Sequence, residues 1–196
     1  LGVEGGQNIV APLNQLTDAF NRSGLPVFTT QDQHPEETAH FSAEPNFVNT
    51  WPNHGRAGTP GGELHPDLLV AQDPWRATRT IKGDVVAQGP EDDTSYTGAL
   101  AHDKDGELLP DALRRLKVTA VTVGGLALGD GAENKLCVDS TAVDLFKQGF
   151  EVTVVTDAVE AVLPENRAKC LRNLAKLGLK LATTAEVREL VADIYR

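Results

Sequence analysis

Four of the five histidines in this 196-residue chain fall between His34 and His65, and the first of them follows Asp32 by two positions in the stretch "VFTTQDQHPEETAHF". In extended backbone, positions two apart leave the same face, so Asp32 and His34 can meet one cation, and His40 and His54 could complete its shell from the loop that follows. Imidazole and carboxylate together suit zinc, iron or manganese. The alternative is a group of loop histidines satisfied by solvent or backbone carbonyls, since an Asp-x-His pair arises readily by chance. A second candidate is Cys137, which stands after the apolar run "AVTVGG" (120–125) and opens a helical pattern. A thiol there faces unpaired backbone N–H groups and the positive end of the helix dipole, which favour the thiolate and can hold a developing oxyanion. Its alternative is a small buried apolar residue, the reading given to Cys170 inside an amphipathic helix.

The elements that must position these residues are legible from periodicity. Ile9, Val10, Leu13, Leu16 and Phe20 recur at helical spacing, and Ser23-Gly24 closes that helix before a strand expected from Leu25 to about Gln31. Residues 35–80 are rich in Pro, Gly, Asn and His with weak periodicity, and read as a long irregular excursion. A strand is expected at "DVVAQ" (84–88), then a polar stretch to Gly106, and a short helix with Pro110 in its first turn leads to the 120–125 strand. After Cys137 a helix presents Val138, Ala142, Leu145 and Phe146 and ends at Gly149; "FEVTVV" is the next strand. A helix from Pro164 to Gly178, the strand "LKLAT" and a last helix complete the alternation. That helix opens on the capping-box pair Thr183 and Glu186 and turns Val187, Leu190, Val191 and Ile194 inward. The pattern implies a three-layer α/β/α fold on a mainly parallel, doubly wound, Rossmann-like sheet, expected as one domain over 1–196. In such sheets ligands gather beyond the carboxyl ends of the strands, which is where Asp32, His34 and Cys137 fall.

Composition narrows the function. A formal net charge of -10, with no cluster of Lys and Arg, disfavours a nucleic-acid or anionic-membrane partner and leaves a small molecule. Two cysteines without metal-pair spacing do not build a disulfide scaffold, and no apolar run approaches the ~20 residues that span a bilayer. The expected location is cytoplasmic. The chain contains no methionine and starts at a bulky Leu1, so residues are expected upstream.

Several stretches resemble the nicotinamidase/pyrazinamidase branch of the isochorismatase-like cysteine hydrolases. They are "TTQDQHP" with "HFS", "WPNHGRAGTPGGELHPDL" (51–68), "GDVVAQGPEDDTSYTGA" (83–99) and "VGGLAL" followed by "KLCVDSTAVDLFKQGFEVTVVTDA". The likeness runs over nearly the whole chain in the family's order. It implies a metal-dependent cysteine amidohydrolase that converts nicotinamide, or a related pyridine or pyrazine carboxamide, to the acid and ammonia through a thioester. Cys137 matches the nucleophile, and Asp32, His34 and His54 match metal ligands, with His40 at a position that ligates only in some members. The implied cofactor is one divalent ion, zinc foremost, with iron or manganese as alternatives. Trp51 and Tyr96 match aromatic residues lining the ring pocket, and Leu126 and Ala127 fall where the family has a cis linkage beside the oxyanion site.

Three departures accompany the resemblance. The family's lysine aligns with Gln88, with Lys82 as a rival alignment. Its aspartate belongs to a strand before the "VEGG" turn, expected upstream of Leu1. Nine residues, "LGDGAENKL", separate Ala127 from Cys137 where the family has about three. The partners implied are a small carboxamide and a second copy of the chain in a homo-oligomer, with no nucleic acid and no membrane. The alternatives are a catalytically impaired relative that binds metal and ligand, and a metal-free isochorismatase-type hydrolase.

Overall fold

A computed structural model describes residues 2–69, 79–83, 96–103 and 105–194, with backbone alone at 79–83 and 194. A 3-10 turn (Gly6–Ile9) runs into helix α1 (Val10–Arg22), followed by strand β1 (Thr29–Gln33) and strand β2 (Arg79–Gly83). Helix α2 (Leu109–Arg115) then leads into strictly alternating β3 (Ala120–Leu128), α3 (Cys137–Lys147), β4 (Glu151–Ala161), α4 (Asn166–Leu177), β5 (Lys180–Ala182) and α5 (Thr184–Ile194).

Every ladder between these strands is parallel, as the alternation requires, because each return path is long enough for a crossover helix. Among the described residues the hydrogen-bonded ladders form two parts, β1-β2 and β3-β4-β5. Side chains join the parts: Phe28, just before β1, packs against the main core, and Gly98 N–H donates to Thr141 Oγ1 of α3 at 2.6 Å. The first strand starts four residues later than the apolar run suggests. Leu25 N–H is still bonded to Phe20 O at the end of α1, Pro26 has no N–H to give a ladder, and pairing with β2 begins only at Thr29. The strand expected at 84–88 lies outside the described residues, as does the Ile194 side chain; β2 stands just before that stretch, at Arg79–Gly83.

β4 lies between β3 and β5 and supplies both cores. Val152, Val154, Val159 and Ala161 join Leu128, Val138, Leu145, Cys170 and Leu174 under α3 and α4, while Val155 and Ala158 join Leu16, Val187 and Val191 under α1 and α5. Strict alternation would send Val154 and Val159 to opposite faces. They share one because β3 advances from Val123 to Gly125 while β4 advances from Val154 to Val159, an odd surplus that reverses the facing. Arg167 of α4 holds the irregular segment by donating to the carbonyls of Thr156 and Val159.

The helix ends follow the sequence signals. Pro110 occupies the first turn of α2, Gly178 closes α4 with φ 103°, and Thr183 and Glu186 bond reciprocally at the start of α5. No helix among the described residues is long and apolar enough to cross a membrane.

Candidate active site

β1 ends at Gln33, but its direction continues: His34 N–H donates to Gly55 O and His34 O accepts from Ala57 N–H, forming a bridge to Arg56. Asp32 and His34 are thereby held beyond the carboxyl end of a strand. Gly55 sits at φ 56°, and a Cβ there would come within 2.9 Å of the Asp32 Cβ and 3.4 Å of the His34 ring. Only glycine lets the returning loop approach this closely. The same loop brings in the other imidazoles, since a second bridge, Phe41 to Trp51, fixes His40 and starts the turn that carries His54.

His34, His40 and His54 offer ligand atoms that all lie within 4.8 Å of one another. His34 and His40 stack at 4.9 Å between centroids, and His54 meets His34 edge-on at 4.9 Å. Burial lowers the pKa of His54, assisted by the neighbouring His34 and opposed by the Pro52 carbonyl and Asp32, so its ring favours the neutral form a metal requires. His54 Nδ1 lies 2.7 Å from Pro52 O, the contact that leaves Nε2 as the ligand atom when Nδ1 carries the proton. Three clustered imidazoles, two of them buried, therefore fit a divalent ion. Asp32 stands at the edge of this cluster, with Oδ2 3.9 Å from His34 Nε2.

Cys137 is the first residue of α3 and is partly buried. Its Sγ lies 3.9 Å from Asp32 Oδ2, at the long limit for a thiol donor. The peptide Leu126-Ala127, at the end of β3, is cis. Asp32, the three histidines, Leu126, Ala127 and Cys137 all line one cavity of about 250 Å³, walled also by Trp51 and Tyr96. Trp51 is buried and donates from Nε1 to Tyr96 OH at 2.9 Å; that hydroxyl donates in turn to Val48 O. Of the two residues matched to the family's lysine, Gln88 lies outside the described residues, and the backbone of Lys82 pairs in register with Asp32.

Sequence reasoning overlooked what holds Cys137 in place. Asp139, two residues into α3, is fully buried and accepts from the N–H groups of Gly129, Leu136 and Gly131 at 3.0, 2.8 and 2.9 Å. Burial raises its pKa, and those three donors oppose the shift. Asp130 gathers the N–H groups of Ala132 and Asn134 and the Lys169 ammonium. The nine residues 128–136 thus form a stapled loop, and its signal was the run Asp130-Gly131 followed by an acidic residue in the first helical turn. Cys170 beside it is pushed far up in pKa by burial and by Asp139, which suits a packing role.

A family model described as the Isochorismatase domain matches residues 103–186. The nicotinamidase/pyrazinamidase of Mycobacterium tuberculosis is 29% identical over 163 residues, 81% of this chain and 77% of that protein. The Escherichia coli nicotinamidase is 28% identical over 206 residues, covering 96% and 89%. The crystal structure of Pyrococcus horikoshii pyrazinamidase in complex with zinc superposes with a TM-score of 0.72 at 28% identity, covering 93% of this chain and 89% of that one. These matches make the chain similar to the isochorismatase-like family along most of its length. Within that family its likeness falls on the nicotinamidase branch.

Proposed function

We propose that this isochorismatase-like protein is a metal-dependent cysteine amidohydrolase acting on nicotinamide or a related pyridine or pyrazine carboxamide. The observation that carries the reading is the placement of Cys137 Sγ 3.9 Å from Asp32 Oδ2, in one cavity with three clustered histidines. The relatives support it, being named for hydrolysis of these amides.

Cys137 opens α3, where the helix dipole favours thiolate. Attack of Sγ on the amide carbon forms the C–S bond; the C–N bond then breaks and ammonia leaves carrying the thiol proton. The Asp32 carboxylate is within reach to relay that proton. Water then cleaves the thioester, releasing the acid and restoring the thiol. Trp51 and Tyr96 offer flat, low-entropy surfaces to an aromatic ring. A divalent ion held by His34, His40 and His54, with Asp32 beside them, would supply a Lewis acid for a ring nitrogen. Three imidazoles suit zinc, as they do other first-row divalent ions, and the zinc complex of the Pyrococcus horikoshii enzyme supports that choice.

The test is ammonia release from nicotinamide by the metal-loaded protein and by its Cys137→Ala variant. Release by the parent alone supports the reading. Equal release by both removes Cys137 from the reaction, and none from either rejects the activity.

A further inference from the structure

A second cavity, of about 240 Å³, adjoins the first and shares Trp51, Tyr96, Leu136 and Val162 with it. Among its other walls are two loops that are each locked from within, with Leu128, Ser140, Leu163 and Asn166 beside them. On one side, the Asn46 side chain accepts from the N–H groups of Val48, Asn49 and Thr50, and Phe47 is held at φ 57°, a conformation that costs a bulky residue energy. The result is that Phe47 and Val48 stand 44% and 54% exposed at the rim. Opposite them, the inserted loop stapled by Asp130 and Asp139 supplies Glu133, Asn134 and Lys135, and Leu163 stands 44% exposed beside it. Large apolar side chains fixed in water by rigid turns mark a surface shaped for a ligand.

Each cavity alone falls below the ~300 Å³ at which pockets for drug-sized ligands begin, and the two volumes together exceed it across the walls they share. The rim pairs an acid, Glu133, with a base, Lys135, so neither sign of charge is favoured, and Phe47, Val48, Val162 and Leu163 give the walls an apolar side. We propose that the second cavity is a specificity subsite for a neutral, largely apolar substituent on the ring of an aromatic carboxamide whose amide group faces Cys137. This rests on the amidohydrolase reading for the orientation of the amide. The inserted loop then has a purpose: it builds the outer wall of a longer substrate site.

The experiment measures calorimetric affinities on zinc-loaded Cys137→Ala protein, which binds without turnover. The probes are nicotinamide and nicotinamides carrying a phenyl group at each open ring carbon in turn. At least one phenyl isomer is expected to bind about tenfold or more tighter than nicotinamide, from the apolar surface removed from water. Adding Leu163→Trp, or separately Val48→Trp, fills the second cavity from an exposed position and should remove that gain. No gain for any isomer, or a gain that survives both tryptophans, overturns the subsite. Failure of the amidase reading is seen separately, as absence of ammonia from nicotinamide with the parent protein.

Discussion

The carboxylate of Asp32 lies 3.9 Å from the sulfur of Cys137, although 105 positions separate them. The same oxygen is 3.9 Å from His34 Nε2, so Asp32 links the nucleophile to the histidine cluster. A nearby anion disfavours a thiolate, whereas a proton relay needs the carboxylate. Asp32→Asn is therefore expected to lower ammonia release by roughly 10²–10⁴-fold while leaving alkylation of Cys137 by iodoacetamide at neutral pH equal or faster. Slower alkylation together with retained turnover would show that Asp32 has neither role.

The three imidazoles predict about one divalent ion per chain. His34→Ala and His54→Ala should each lower bound metal, by elemental analysis, by about 10-fold or more at equal free metal, because each removes one strong ligand. Chelation of the parent should abolish nicotinamide hydrolysis, and zinc should restore it. Full metal content in both variants would exclude the cluster.

Lys82 and Gln88 are alternative matches for the family's lysine; the backbone of Lys82 pairs in register with Asp32, and Gln88 lies outside the described residues. Lys82→Met is expected to reduce kcat by roughly 100-fold or more, with Gln88→Ala changing it only a few-fold. The reverse order would assign the position to Gln88.

Tyr96→Phe deletes the acceptor for the buried Trp51 indole N–H. The unsatisfied donor should cost about 1–3 kcal/mol of stability in a denaturant titration. A higher KM for nicotinamide should accompany it, because the indole forms a wall of the cavity. Unchanged stability and KM would mean that the hydroxyl is idle.

Asp130 gives a pH signature. Burial alone would raise its pKa, but the N–H groups of Ala132 and Asn134 and the Lys169 ammonium outweigh it and hold the carboxyl below its usual range. Because the folded-state pKa is depressed, the stabilisation is complete above the unfolded value near ~3.9 and is lost as pH falls through the lower folded value. Asp130→Asn should cost about 1–3 kcal/mol at neutral pH, with the gap from the parent closing only in acid. A gap independent of pH would sink this account.

The order of helices and strands, the capping pair Thr183 and Glu186, and the residue types able to bind metal or attack an amide were set by the sequence. Each depends on neighbours within a turn or two of the chain, where periodicity and capping chemistry act. Ile9, Leu16, Val187 and Val191 announce their burial in the same way, whereas Leu190, expected inward with them, is 63% exposed. The convergence of Asp32, His34, His40 and His54 with Cys137 was decided only in three dimensions, by two loop bridges and by the close approach at Gly55. So were the pairing of the described strands, the reversed facing within β4, and the stapling of the 128–136 loop by Asp139, whose partners stand up to 10 positions away. Pairing register and loop paths depend on which distant surfaces bury one another, and no local pattern records that choice.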